Sequence, residues 1–405
     1  MSFLKKFFKV ILIILIVYLV LGMIVGPIVF VSIIGRKATK SDGDYLKLWK
    51  CVREDYPLLN DREEVHFESN GKTLTAYLYE VDEPLGIVIC AHGLNNTSDY
   101  DNAEYQNYFL EKGFDVLAVD LTGCGNSEGN CVRNLYKSKY DIVAAIDYVK
   151  ANPKIKDLKI NLVGHSAGAY GVIMASGLRE VNAVLAISSY ESPHDEVVSI
   201  IEDNIGKISF LVRPFIEYSL FLFGGKENYL KASDVVNSNK DTTYYLMHSS
   251  ADDYVNYEKT SLMRLYYEPN VDYRKYEIWN PEIDPSTISK EEISQFTTQH
   301  KDNVYSYLLS WARHTDTWLS YDSQVYLHDN FWGPLTDEHN ATKPKSGTFI
   351  QYVKAHGAER GIDRYKASEL NEYVFEQVVD IFKWKRNSVE FLFIPKLYQL
   401  IQDNL

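Results

Sequence analysis

From Gly86 onward the chain alternates short apolar runs with stretches of helical periodicity, and this restricts its fold more than any other feature. Residues 87–91, 116–119, 160–163, 183–187 and 244–247 are apolar at nearly every position. Runs this short and this apolar belong to strands buried on both faces. Between them, residues 104–112, 142–149 and 167–178 repeat apolar side chains at helical intervals. Strand and helix in alternation predict an α/β class: a mostly parallel, doubly wound sheet covered by helices. The same reading continues with a helix through Leu262 to Tyr266, a last strand over 276–279, a helical excursion over 290–309 and a last helix over 370–384. Ahead of the alternation, residues 64–81 read as a hairpin turning at Asn70-Gly71.

The N-terminus obeys a different rule. Positions 10–34 hold 25 consecutive residues without a charge. As a helix they extend about 37 Å, against a hydrocarbon core of about 30 Å. A cleaved signal peptide has a shorter apolar region and a small-residue cleavage site, and neither is present. Residues 1–36 therefore read as one transmembrane anchor, 37–63 as a linker and 64–405 as the soluble domain. Lys5, Lys6 and Lys9 precede the span; Arg36, Lys37 and Lys40 follow it. The charge balance is near even, and a short tail before such an anchor stays inside. The expectation is a single-pass cell-membrane protein with its domain outside the cytoplasm. With a net charge of −13 the chain repels phosphate backbones, which excludes broad nucleic-acid binding.

Two stretches interrupt the alternation. Residues 191–239 are helix-like and carry Phe210, Leu211, Phe215, Leu220, Phe221 and Phe223, an apolar set that reads as a second core patch or a lid over an apolar pocket. A second insertion spans about 281–365 and holds five of the ten histidines.

Gly164-His165-Ser166-Ala167-Gly168 follows an apolar strand and opens a helix. A serine at such a turn takes a strained backbone, for which flanking glycines leave room. Its hydroxyl then stands clear of the sheet beside a helix N-terminus that favours negative charge. Ser166 is the candidate nucleophile. His165, inside the turn, points away from it and reads as a packing or hydrogen-bonding residue.

Here the chain resembles the α/β-hydrolase family, in its serine-aminopeptidase and esterase-like branch. His92-Gly93-Leu94 is similar to the family's oxyanion loop. The segment from Asp120 to Gly129 resembles its D-x-x-G-x-G-x-S-x-G pattern. His248 through Val255 resembles its H-G-x-x-D-x-x-V acid loop, with Ser249 in place of glycine. The resemblance covers roughly residues 64–384. It implies the α/β-hydrolase fold with a helical lid, no cofactor, and an acid at Asp252. The spacing to Val255 favours Asp252 over its neighbour Asp253. The oxyanion donors it implies are the backbone N–H groups of Ala167 and Leu94.

A serine needs a base, and the base follows Asp252 in the chain. The candidates are His300, His314, His328, His339 and His356. Arg313 through Trp318 resembles the family's H-[ST]-D-x-aromatic loop, which selects His314; His356-Gly357 is the rival. There is no H-E-x-x-H or H-x-H spacing for a metal. Cys124 and Cys131 lie seven apart and either pair or remain thiols. The expected function is a membrane-anchored serine hydrolase that cleaves a small-molecule or lipid-like carboxylic ester by acyl transfer through Ser166 to water. A peptidase or amidase on the same triad is the alternative, as is an inactive membrane-tethered binding module.

Overall fold

The computed structural model describes residues 2–34, 56–94, 96–99, 103–111, 113–129, 135–250, 252, 254–267, 299–309 and 314. Nine strands among them form one sheet: β1 (Glu63–Ser69), β2 (Lys72–Tyr79), β3 (Ile87–Ala91), β4 (Asp115–Val119), β5 (Ile160–His165), β6 (Ala183–Ile187), β7 (Thr243–Ser249), β8 (Gln299–Lys301) and β9 (Val304–Leu309). Their order is β1-β2-β4-β3-β5-β6-β7-β9-β8. Strands β4, β3, β5, β6, β7 and β9 run parallel, and antiparallel hairpins close both edges. Every residue of β3, β4, β5 and β6 is buried, which their continuous apolar sequences require. In the first hairpin Asn70 (φ 49°) and Gly71 (φ 70°) are both left-handed, the turn whose twist matches paired strands.

The C-terminal edge corrects the sequence reading. Residues 299–301 and 304–309 are strands, not the expected helix over 290–309, so the insertion drawn at 281–365 contains two strands of the sheet. Val304 and Leu308 are buried four residues apart, a spacing that helix and strand both satisfy. Asp302, left-handed at φ 56°, turns the hairpin between them and β8. The helix expected through 262–266 is a single 3₁₀ turn, Met263–Leu265. The strand at 276–279, the helix at 370–384 and residues 37–55 of the linker lie outside the described residues, as does Cys131.

Helix α1 (Ser2–Ile34) is continuous across Pro27. Helix α2 (Ala103–Glu111) packs on β4; α3 (Ser138–Ala151) and α4 (Ala167–Ser176) pack on each other and on the central strands. The stretch expected as a lid is helical: α5 (Pro193–Ile205), α6 (Ser209–Gly224) and α7 (Ala232–Ser238). Ser192 caps α5 by accepting the Asp195 N–H at 3.1 Å, and Pro193 opens the first turn. Two helical segments among the described residues are long and apolar enough to cross a membrane: Lys5–Ile28 within α1, and Gly206–Ser238.

Helix α4 lies against the sheet at backbone contact. A Cβ on Gly164 would sit 2.5 Å from the Gly168 backbone, and one on Gly168 would sit 2.3 Å from the Ala91 carbonyl oxygen. Neither neighbour is a flexible side chain. Gly168→Ala is therefore expected to cost roughly 1–3 kcal/mol by overpacking and to lower the thermal unfolding midpoint. Gly71→Asn, in open space at a turn that tolerates asparagine, should change it far less.

Candidate active site

Ser166 joins β5 to α4 with φ 54° and ψ −116°. A left-handed backbone at a non-glycine residue costs of order 1–3 kcal/mol and persists only where its surroundings impose it. They do so here: the Ser166 N–H donates to the Ile187 carbonyl on β6 (2.9 Å), and its own carbonyl accepts the Tyr170 N–H (3.1 Å). Ser166 stands at the carboxyl edge of the sheet and is 8% exposed.

Two paired strands end beside it. In register, Ser249 of β7 lies opposite Leu309 of β9. Asp252 follows three residues after the first and His314 five after the second, so both leave one sheet edge. They meet: His314 Nδ1 lies 3.0 and 2.9 Å from the two Asp252 carboxylate oxygens. Oδ1 of Asp252 also accepts the N–H groups of Tyr254 (2.9 Å) and Val255 (2.8 Å). Burial pushes this carboxyl up, but the His314 charge and hydrogen bond, with His248 and the Tyr254 N–H, overcome it and hold the group down at about 2. Asp252 is thus a carboxylate in the fold, and its contact with Nδ1 leaves the His314 Nε2 lone pair for a proton.

His314 is held from three sides. Tyr254 stacks on its ring at 5.5 Å between centroids. His165 lies 4.7 Å from it on another side, and the His165 Nε2–H donates to the His314 carbonyl (2.8 Å). His248 donates from Nε2 to the Val255 carbonyl (3.0 Å), and burial lowers its pKa against the pull of Asp252.

Leu94 and Ala167 line one cleft, with Leu121, Cys124 and Leu135 among its walls. The Leu121 N–H donates to His92 Nε2 (3.0 Å), and the opposite nitrogen, Nδ1, donates to the Gly93 carbonyl (2.7 Å). That ring ties the loop carrying Leu94 to the segment that follows β4. The same segment is folded around Asp120, which accepts the Ser98 N–H and the Asn126 N–H, both at 2.9 Å. A Cβ on Gly125 (φ 50°) would strike the Asp120 carboxylate, so the glycine spacing in this segment is imposed by a turn around a buried acid.

The site contains one acid that sequence reasoning did not identify. Glu196, on α5, is 2% exposed, and its Oε2 has no hydrogen-bond partner among the described residues. Burial pushes its carboxyl up to about 8; the Thr260 hydrogen bond and His314 oppose the shift, while Asp252 and Asp203 add to it. Its position four residues into a capped helix of the lid carries no sequence signal for this.

His314 thus pairs with Asp252 and lies against His165, the neighbour of Ser166, while Leu94 and Ala167 line one cleft. Asp253, His328, His339 and His356 lie outside the described residues; His300 lies on β8, the outermost strand. Among the described residues no group of three His, Cys, Asp or Glu side chains is arranged to hold a metal.

Residues 82–204 match the family described as serine aminopeptidase S33. The chain is 31% identical over 131 residues to the quorum-quenching protein AidA of Acinetobacter baumannii, covering 31% of this chain and 42% of that protein. It is 29% identical over 130 residues to the polyketide transferase ATR5 of Stachybotrys chlorohalonatus, covering 31% and 43%. The chain thus spans less than half the length of these curated relatives. Among solved structures, a Pyrococcus furiosus esterase is similar at 18% identity and a TM-score of 0.47, covering 71% of this chain and 92% of that one. An acylaminoacyl peptidase of Pyrococcus horikoshii is similar at 13% and 0.45, covering 77% and 45%.

The two buried carboxyls give opposite pH signatures. Folded Glu196 keeps its proton up to about 8, whereas an unfolded glutamate releases it near 4.5. The folded state binds more protons in that window, so stability falls as pH rises through it. Asp252 is shifted down, so its contribution is present above 3.8 and lost as pH falls toward about 2. Thermal unfolding of Glu196→Gln should show a flatter midpoint between pH 5 and 8 than the parent, with the acid limb unchanged.

Proposed function

We propose, from a chain with the α/β-hydrolase fold, that this protein is a serine hydrolase that cleaves carboxylic esters at a Ser166–His314–Asp252 triad. The observation that carries the reading is the buried His314–Asp252 pair beside a serine in a strained left-handed turn. A carboxylate on Nδ1 fixes the tautomer whose Nε2 accepts a proton and stabilises the cation that results.

The reaction follows from these roles. Ser166 Oγ attacks the acyl carbon and its proton passes to His314 Nε2. The carbonyl oxygen becomes an oxyanion facing the N–H groups of Leu94 and Ala167, each such donor contributing about 2.7–4 kcal/mol to the transition state. The tetrahedral intermediate collapses, the C–O bond breaks, and the departing alcohol takes the proton from His314. Water then attacks the acyl-enzyme by the same route, releasing the carboxylic acid and returning the proton to Ser166. No cofactor enters. The match to a serine aminopeptidase family favours a second reading, hydrolysis of an amide on the same groups. Matched ester and anilide substrates separate the two by their kcat/KM ratio.

We further propose that α1 tethers the enzyme to the cell membrane with the domain outside the cytoplasm. The uncharged length of α1 and the short lysine-bearing tail before it support this. Added protease should then digest the domain on intact cells. Protection until the cells are lysed would place it inside.

A fluorophosphonate probe should label the parent protein, and Ser166→Ala should abolish both labelling and ester turnover in folded protein. Asp252→Asn should lower kcat by about 10⁴-fold if it orients the base. His165→Ala, which removes a donor to the His314 backbone, should lower kcat with little change in KM. Labelling of Ser166→Ala at the parent's rate would remove the enzyme reading.

A further inference from the structure

Helix α6, the middle helix of the lid, packs lengthwise on α1. Tyr18 meets Phe215 edge to face at 4.9 Å and donates from its hydroxyl to the Leu211 carbonyl. Phe30 stacks on Phe223 at 5.6 Å. Between these aromatic pairs, Gly22 and Gly26 form a notch for Phe215: a Cβ on Gly22 would fall 2.1 Å from its ring, and one on Gly26 would fall 2.9 Å from its Cβ. Small residues four apart in an apolar helix are the usual means by which helices approach closely in lipid. The contact is therefore built from the middle of the uncharged segment, at residues 18–30.

The rest of α6 continues this apolar surface. Phe210 and Phe221 are each 70% exposed, and Leu211 and Leu222 are also exposed. Phe210 with Phe221 and Leu211 with Leu222 are each eleven residues apart, about three helical turns, so the four side chains form two neighbouring rows about 100° apart along the helix. The charges of α6 lie elsewhere: Arg213 pairs with Glu202 of α5, and Glu217 with His194. Asp203 at the end of α5 is paired to Lys259. These ion pairs keep the α5–α6 hairpin from crossing the bilayer but leave its outer face apolar.

The contact also reaches the site. Phe223, held by Phe30, accepts at its carbonyl from the Tyr136 hydroxyl (3.5 Å), and Tyr136 adjoins Leu135 in the cleft wall.

We propose that α6 is docked in the lipid bilayer beside α1, with Phe210, Leu211, Phe221 and Leu222 at acyl-chain depth, so that the lid meets substrate from the membrane. The proposal rests on α1 being the anchor, and its test does not depend on catalysis. The full-length protein is reconstituted in phosphatidylcholine vesicles with or without bromine on the acyl chains. Phe221→Trp is compared with Leu178→Trp, an exposed position at the end of α4, each measured as emission added over the parent. The Phe221→Trp increment should be blue-shifted and lose most of its intensity to brominated lipid, while the Leu178→Trp increment loses none. Equal, unquenched increments would overturn the proposal. So would a blue-shifted but unquenched Phe221→Trp, which is the result expected if a second copy of the chain covers the two rows. The hydrolase reading stands or falls separately, by fluorophosphonate labelling of the same vesicles.

Discussion

Two backbones pass at the base of α4 more closely than any side chain permits, and the site depends on that approach. With Cβ atoms at Gly164 and Gly168, α4 would be pushed off β5 and β3. Ser166 would then lose the two anchors that hold its left-handed backbone, the β6 carbonyl behind it and the first turn of α4 ahead. The strain at Ser166 is thus sustained by the packing of a buried helix on a buried sheet. The Ser166 hydroxyl is thus held between a buried strand and a buried helix and not on a long loop.

The electrostatics at the same edge follow from the order of the strands. Because β9 pairs in parallel with β7, the chain segments after both strands emerge at one edge, and one carries Asp252, the other His314. Asp252 keeps its charge in a buried position only because a histidine and two backbone N–H groups converge on it. Glu196 nearby has fewer partners and takes the opposite course, retaining a proton. Two buried carboxyls thus differ in charge because one has a paired histidine and converging hydrogen bonds to offset its burial and the other does not.

Much of this was legible from residue pattern. The central strands could be read because burial on both faces leaves few positions for polar residues, as in β3 and β6. Ser166 could be read because its turn demands glycine on either side. The edge was harder. Strand β9 carries Val304, Ser306 and Leu308 inward, and a serine at a buried position together with a four-residue apolar spacing gave a helical period. A helix over 290–309 makes His314 the end of a long excursion, whereas it lies five residues beyond strand β9. Glu196 and the His165 contact had no signature, because each depends on what another segment brings to it. A buried glutamate in a lid helix is indistinguishable in sequence from a solvated one.

The anchor and the lid show the same limit from the other side. Gly22 and Gly26 are spaced for close helix packing, and the pattern is visible once a partner is known. The partner is 189 residues away in the chain, at Phe215 measured from Gly26. On both helices the contacts lie at four-residue spacings: Tyr18, Gly22, Gly26 and Phe30 on α1, and Leu211, Phe215 and Phe223 on α6. Such rows form the ridges along which helices interlock. The first row is bulky at its ends and empty in the middle. The second presents the Phe215 ring where the first is empty. A helix selected only to cross lipid needs apolarity, and any apolar residue would serve at positions 22 and 26. Glycine there weakens the helix by roughly 1 kcal/mol per position relative to alanine, a cost that the notch for Phe215 offsets. Helix α1 is therefore shaped to α6, and the two pack along one continuous apolar contact.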